Sequence, residues 1–356
     1  MSRKVLSHSF ICLFFSLLFN NLISAQTFNR IEKVAGLGIL EENNGASVAD
    51  YDNDNDLDIF VVAKSIDKAG IEKTHSKLFR NNNDGTFEDV TKESGLLGIL
   101  TSEEVTLDNS ALDGFKYGAS WGDFNNDGFP DIILTYSLKI QLYLNKRDGT
   151  FEDVTDSAGI QGFNNCITPS ATWFDYNNDS YLDLYITTWG DCESAQLYEN
   201  NKDGTFVDVS NKIQVTGNAY YYQAFPFDFN KDGLMDLYIT NDLFNSNPLL
   251  INQNSNNLID DATTYKVQNN GNDMGIAIGD YNGDGHFDLY VTNINENFLL
   301  KSNGDNTFTD VASEKNVKDV GWSWDAKLAD FDLDGDEDLF VVNGYDFAFT
   351  DEEFNA

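Results

Sequence analysis

Asp50-Tyr-Asp-Asn-Asp-Asn-Asp-Leu-Asp58 recurs five more times along the chain. The copies are Asp123-Phe-Asn-Asn-Asp-Gly-Phe-Pro-Asp131, Asp175-Tyr-Asn-Asn-Asp-Ser-Tyr-Leu-Asp183, Asp228-Phe-Asn-Lys-Asp-Gly-Leu-Met-Asp236, Asp280-Tyr-Asn-Gly-Asp-Gly-His-Phe-Asp288 and Asp330-Phe-Asp-Leu-Asp-Gly-Asp-Glu-Asp338. Position 1 is always aspartate. Position 3 is Asp52, Asn125, Asn177, Asn230, Asn282 or Asp332, position 5 is Asp54, Asp127, Asp179, Asp232, Asp284 or Asp334, and position 9 is again always aspartate. Hard oxygen donors at alternate positions of a tight turn suit Ca²⁺, which takes six to eight oxygens at roughly 2.3–2.6 Å. These side chains are the candidate ligands, for up to six ions.

Position 7 is Asp56, Phe129, Tyr181, Leu234, His286 or Asp336, a variation that only a main-chain carbonyl donor tolerates. Glycine or asparagine at position 6 lets the chain turn, and Ser180 there marks the third loop as the weakest site. The first and last loops carry the most charge and are expected to bind tightest. A single such loop reads equally well as an Asp/Asn turn satisfying its own backbone. Six in register weigh against that.

The loops start at 50, 123, 175, 228, 280 and 330, so the first interval alone carries an insertion, placed at Leu97 to Phe115. Each repeat follows one order. A small-residue segment precedes the loop (Gly45-Ala-Ser-Val-Ala49), and an alternating β-rich run follows it (Leu57-Asp-Ile-Phe-Val-Val62). Next comes a run ending in an Asp-Gly turn (Leu142-Tyr-Leu-Asn-Lys-Arg-Asp-Gly149), then a last short run (Thr150-Phe-Glu-Asp-Val-Thr155). Four short strands per unit of about 50 residues is the period of a propeller blade.

The expected fold is therefore an all-β propeller of six four-stranded blades, or seven if the insertion adds strands. Ala46, Ala119, Ala171, Ala224 and Ala326 stand four residues before their loops, with Ile276 the exception, as inner strands converging on an axis require. The fourth repeat has lost its Asp-Gly turn at Leu249 to Leu258. Thr27-Phe-Asn-Arg-Ile31 matches the last run of a repeat and is expected to complete the final blade, removing open edges.

Residues 1–25, with Arg3, Lys4 and an apolar run from Phe10 to Ile23, read as a secretory signal peptide, leaving 26–356 as one propeller domain. The run is shorter than the ~20 apolar residues of a membrane span, so soluble export to the cell surface, periplasm or medium is expected. The chain has 22 basic and 59 acidic residues, a net charge of −37. That field repels nucleic acid and anionic membranes and attracts cations. Cys166 and Cys192 stand symmetrically about Asp179, so a disulfide across the hairpin is plausible in an exported protein, with two free thiols the alternative.

Phe-Glu-Asp-Val-Thr, Gly-Asp-Phe-Asn-Asn-Asp-Gly and Leu-Tyr-x-Asn, repeated over residues 27 to 345, resemble the FG-GAP/VCBS repeats of integrin α-subunit heads and of cartilage-acidic-protein-like secreted proteins. The resemblance implies a propeller with Ca²⁺ in the hairpin loop between the first two strands of each blade, used in adhesion or recognition. Members of that family often continue past the segment matching Asn343-Gly344.

The expected function is that of a secreted calcium-binding propeller recognising a protein or glycan. The alternatives are a propeller-type polysaccharide lyase or hydrolase using Ca²⁺, or a structural segment of a longer protein. The histidines after the leader are His75 and His286, and no nucleophile motif, phosphate-binding glycine loop or thiolate zinc pattern accompanies them. No catalytic residue is assigned. Trp121, Trp173 and Trp324 read as core, whereas Trp189, Trp322 and Tyr220 to Tyr222 fall near loop ends, where an aromatic face can meet a sugar or a protein, although core burial is the expectation for any one of them.

Overall fold

A computed structural model describes residues 29–37, 43–63, 76–96, 116–136, 140–161, 166–190, 195–215 and 220–344. The leader, the 97–115 insertion, Thr27, Phe28 and Cys192 lie outside the described residues.

Each repeat becomes a small antiparallel sheet. The first blade is β1 (Asn43–Ala49), β2 (Asp58–Ala63), β3 (Lys77–Asn81) and β4 (Phe87–Asp89), paired in sequence order. The second is β5 (Lys116–Gly122), β6 (Asp131–Tyr136), β7 (Ile140–Asn145) and β8 (Phe151–Asp153). The third is β9 (Ala171–Phe174), β10 (Asp183–Ile186), β11 (Gln196–Asn200) and β12 (Phe206–Asp208).

The fourth blade departs from this plan. A short strand β13 (Ile213–Gln214) runs parallel to β18 (Asn257–Asp260), giving the order β13-β18-β17-β15-β14, with β14 at Tyr221–Phe227, β15 at Asp236–Asn241 and β17 at Leu249–Gln253. Its missing Asp-Gly is replaced by Asn254 and Ser255, both at φ 56°. A one-turn helix α1 (Ala262–Tyr265) follows, and β16 (Asn245–Ser246) pairs with β19 (Asn270–Gly271) as a separate two-stranded flap. The fifth blade is β20 (Asp273–Gly279), β21 (Asp288–Asn293), β22 (Phe298–Ser302) and β23 (Phe308–Asp310). The sixth repeat contributes the hairpin of β24 (Ser323–Ala329) and β25 (Asp338–Asn343).

The described residues thus give five full blades and a two-stranded sixth, where six four-stranded blades are expected from sequence. Of the expected closing strand, Thr27 and Phe28 lie outside the described residues. Asn29 to Ile31 join no strand, and the Ile31 carbonyl instead accepts the Ala35 N–H at 2.8 Å, opening a turn. Ile31 stands where Val90 does in the next repeat, and Val90 likewise opens a turn, to Ser94.

The second strand of each blade is buried on both faces, so its apolar run is continuous and not the half-buried alternation expected. Ile132 and Leu134 of β6 enter the core shared with the first blade, and Ile133 enters the core shared with the third. Leu184 and Ile186 face back while Tyr185 faces forward. Leu237 and Ile239 repeat this against Tyr238, and Leu289 and Val291 against Tyr290. On β25, Leu339 and Val341 pack on the fifth blade, while Phe340 and Val342 are 51% and 46% exposed. Successive first strands pack on one another, β1 on β5, β5 on β9, β9 on β14, β14 on β20 and β20 on β24. Ala171, Ala224, Ile276 and Ala326 are buried at this convergence, whereas Ala46 on β1 is exposed.

Candidate metal centre

Each acidic loop joins the first strand of a blade to the second, and its carboxylates are aimed by the loop's own amides. In the second loop Asp123 Oδ1 accepts the Asp127 N–H at 2.9 Å and Oδ2 the Gly128 N–H at 2.8 Å. Asn125 Oδ1 accepts the Asp127 N–H, and Asp127 Oδ1 the Phe129 N–H. The position 1 pair recurs at Asp50, Asp175, Asp228, Asp280 and Asp330. The hydrogen bond from the position 7 N–H to position 5 recurs at Asp56, Tyr181, Leu234, His286 and Asp336.

The turn needs left-handed backbone at two places. Position 6 takes it in every loop, from Ser180 at 70° and Asn55 at 71° to Gly335 at 100°. Position 4 takes it as well, at Asn53, Asn126, Asn178, Lys231, Gly283 and even the exposed Leu333. L-residues reach that region at a cost, which short polar side chains lower.

Three carboxylates converge in the first and last loops, the two with aspartate at position 3. Ligand oxygens of Asp50, Asp52 and Asp54 lie within 4.8 Å of one another, as do those of Asp330, Asp332 and Asp338. Asp52 Oδ1 is buried without a hydrogen-bond partner, the mark of a donor that fits a cation. Burial, then the charges of Asp54 and Asp50, raise the pKa of Asp52; burial and Asp54 do the same to Asp332. In the second and third loops a cation already sits on position 5. Arg147 Nη2 lies 2.8 Å from Asp127 Oδ2, and Lys202 Nζ 3.1 Å from Asp179 Oδ2. Lys301 approaches Asp284 at 3.6 Å.

Position 9 is above all a strut. Asp131 is fully buried, with Oδ1 accepting the Asn145 N–H of β7 and Oδ2 the Phe124 N–H of the loop. Asp58, Asp183 and Asp236 do the same, tying loop to third strand. Burial dominates their ionisation, pushing the carboxyls up to about 6 for Asp58, 8 for Asp131, 7 for Asp183 and 6 for Asp236 and Asp288.

The asparagine of Leu-Tyr-x-Asn is part of this apparatus, and sequence reading gave it no role. Asn145 Nδ2 donates to the carbonyls of Tyr51 in the preceding blade's loop and of Pro130 in its own. Asn200 bridges Phe124 and Leu182, and Asn252 bridges Tyr176 and Met235. Asn53 Nδ2 also reaches the Gly128 carbonyl, and Asn126 Nδ2 that of Ser180, so neighbouring loops are linked.

A family model of the FG-GAP-like repeat matches residues 123–186, 175–239, 228–291 and 280–341, together more than half of the chain. The chain belongs to the FG-GAP-like repeat family. No curated protein sequence matches it at a significant level. Among solved structures this FG-GAP-like chain is similar to an Agrocybe aegerita lectin, described by its specific recognition of non-reducing terminal N-acetylglucosamine. The two share 17% identity at a TM-score of 0.50, over 85% of this chain and 75% of the lectin. It is also similar to a biofilm matrix protein of V. cholerae, at 12% identity and a TM-score of 0.40, over 75% of this chain and 39% of that one. At such identities the likeness is one of fold.

The other singled-out residues divide. Trp121 packs with Tyr51, Phe60 and Phe151, and Trp173 stacks on Phe124 and leans on Phe206, so both belong to cores between blades. Trp324 instead stacks on Trp322 at 6.0 Å and meets Tyr222 edge-on at 6.2 Å. Trp189 meets Tyr220 at 5.7 Å. Cys166 is disulfide-bonded, and Cys192 lies outside the described residues. Among the described residues no helix is long and apolar enough to cross a membrane.

Proposed function

We propose that this FG-GAP-like propeller is an exported, calcium-stabilised recognition module that holds a protein or glycan ligand at the end opposite its acidic loops. In each loop the oxygens of positions 1, 3 and 5, joined by the main chain at position 7, would hold Ca²⁺. The ion would neutralise clustered carboxylates and lock loop to loop. Metal binding of this kind stabilises the native state by mass action.

One observation carries the choice of face. β10, β15 and β21 run away from the loops and β14, β20 and β24 run toward them, so Trp189, Tyr220, Tyr222, Trp322 and Trp324 gather at the far end, each half-buried. Phe244 stands beside the flap there, 65% exposed. Aromatic rings with one apolar face and a polar edge suit stacking on sugar rings and anchoring of protein partners. The lectin of similar fold, described as recognising terminal N-acetylglucosamine, makes amino sugars the first ligands to screen.

The test is a glycan array with the Ca²⁺-loaded protein, followed by calorimetry on any hit. Phe244→Ala and Trp322→Ala are expected to weaken binding at least tenfold while the unfolding midpoint in Ca²⁺ changes little. Unchanged affinity in both variants would move the ligand to another face. Turnover of a bound glycan would replace recognition by catalysis.

A further inference from the structure

Asp273 opens β20 with no exposed surface. The groups facing it are the amides of Asn247, Asn269 and Asn293, the Tyr238 phenol and the carboxylate of Asp242, none of them basic. Asn293 Nδ2 donates to Asp273 Oδ1 at 2.9 Å, but Oδ2 has no hydrogen-bond partner. Asn269, just before β19 and 8% exposed, turns its amide N–H toward the Asp273 carboxyl and has no partner for its oxygen. Asp242, just after β15 and 6% exposed, accepts the Trp189 Nε1–H on Oδ2 at 3.0 Å and has no partner on Oδ1. Buried polar atoms left unmatched cost about 1–3 kcal/mol each, and more when charged.

The chain itself provides the uncharged comparison. Asn241 N–H donates to Asn247 Oδ1 and Asn293 N–H to Asn297 Oδ1, both at 2.7 Å. Asn247 Nδ2 then donates to Tyr238 Oη, and Asn297 Nδ2 to Tyr290 Oη. One blade on, the residue opening β24 is Ser323, which accepts from Asn297 Nδ2 and reaches the Gly321 and Asn343 side with nothing left over. A serine therefore suffices for the framework. A buried carboxylate at the same place adds a desolvation cost, which protonation or a bound cation offsets.

We propose that Asp242, Asn269 and Asp273 form a divalent-cation site of calcium chemistry at the junction of the fourth and fifth blades. The unmatched oxygens are Asp242 Oδ1, Asp273 Oδ2 and Asn269 Oδ1, an oxygen-only set with two negative charges. The site is separate from the acidic loops. Asp242 follows the far end of β15, whose six residues from Asp236 to Asn241 span roughly 17–20 Å. The flap holds it closed: Phe244 N–H donates to the Gly271 carbonyl, and Leu243 and Phe244 both take left-handed backbone, at φ 55° and 58°.

The experiment counts ions by native mass spectrometry on Ca²⁺-equilibrated protein. Asp273→Ser, copying Ser323, and Asp242→Asn, whose amide oxygen still accepts from Trp189, are each expected to carry one ion fewer than the parent. An unchanged count in a folded variant overturns the proposal, and if Asp273→Ser fails to fold, Asp242→Asn decides. Terbium emission excited through tryptophan reads the site separately. Trp189→Phe is expected to cut that emission with the ion count unchanged, and equal emission from parent, Trp189→Phe and Asp273→Ser would contradict the site.

Discussion

The side-chain amide of Asn200, in the third blade, donates at 2.8 Å to the main-chain carbonyl of Phe124, in the loop of the second blade. A second N–H of the same amide reaches Leu182 in its own loop at 3.0 Å. Asn200 is 3% exposed, so both carbonyls depend on it and water does not replace it. One buried amide thus couples two loops and two blades.

Asn200→Ala is expected to destabilise the protein by about 2 kcal/mol, since it strands two carbonyls and opens a small void. Asn81→Ala should cost less, because the Asn81 amide N–H groups reach one carbonyl, that of Leu57, and the residue is partly exposed. Urea unfolding of both variants in excess Ca²⁺ checks the order, and equal losses would contradict it.

Arg147 occupies the position 5 carboxylate of the second loop through both Nε and Nη2. It therefore competes with a bound cation. Arg147→Gln is expected to tighten Ca²⁺ binding at that loop by about threefold, the screened value of one exposed ion pair. Calcium titration followed by calorimetry reads it, and weaker binding would mean that Arg147 organises the loop.

The position 9 aspartates make the metal-free protein sensitive to alkali. The folded pKa values of Asp58, Asp131, Asp183, Asp236 and Asp288, about 6 to 8, lie above the ordinary 3.8 because burial disfavours the charged form. Between those limits the native state holds protons that the unfolded chain has released, so stability falls as pH rises. Chelator-treated protein should unfold at lower urea at pH 8 than at pH 5. A higher midpoint at pH 8 would contradict the assignment.

Gly95 sits at φ 84°, and a Cβ there would stand 3.2 Å from the Phe151 carbonyl, where the next blade's Phe151 N–H bonds the Ser94 carbonyl. Gly159 repeats the arrangement against Phe206. Gly95→Ala is expected to cost about 1–2 kcal/mol through left-handed strain and crowding between blades. Thermal unfolding measures it, and an unchanged midpoint would show that the turn relaxes freely.

Much of this was legible in the sequence because the repeat writes it out several times. The loops, their position between first and second strands, and the inner-strand residues Ala171, Ala224 and Ala326 follow from periodicity alone. The two-faced burial of β6, β10, β15 and β21 was not legible as alternation, since a blade packed on both sides has no solvent face. Asn145, Asn200 and Asn252 were visible as a motif, but their carbonyl partners lie as far as 94 residues away, beyond any local pattern. Asp242, Asn269 and Asp273 carry no motif and meet only because the flap of β16 and β19 folds them together. Position 9, conspicuous as a ligand, also proved to be the hinge pin of its loop, because a buried carboxylate has to satisfy both oxygens.

The central claim is that the acidic loops are calcium sites on which the propeller's stability rests. Thermal unfolding in chelator and then across a Ca²⁺ titration tests it most directly. Each site saturated to a hundredfold above its Kd adds about 2.7 kcal/mol, so a large, concentration-dependent rise in midpoint with several ions bound is the predicted result. A midpoint indifferent to Ca²⁺, with no ion retained, would contradict the account and leave the loops as self-satisfied aspartate turns.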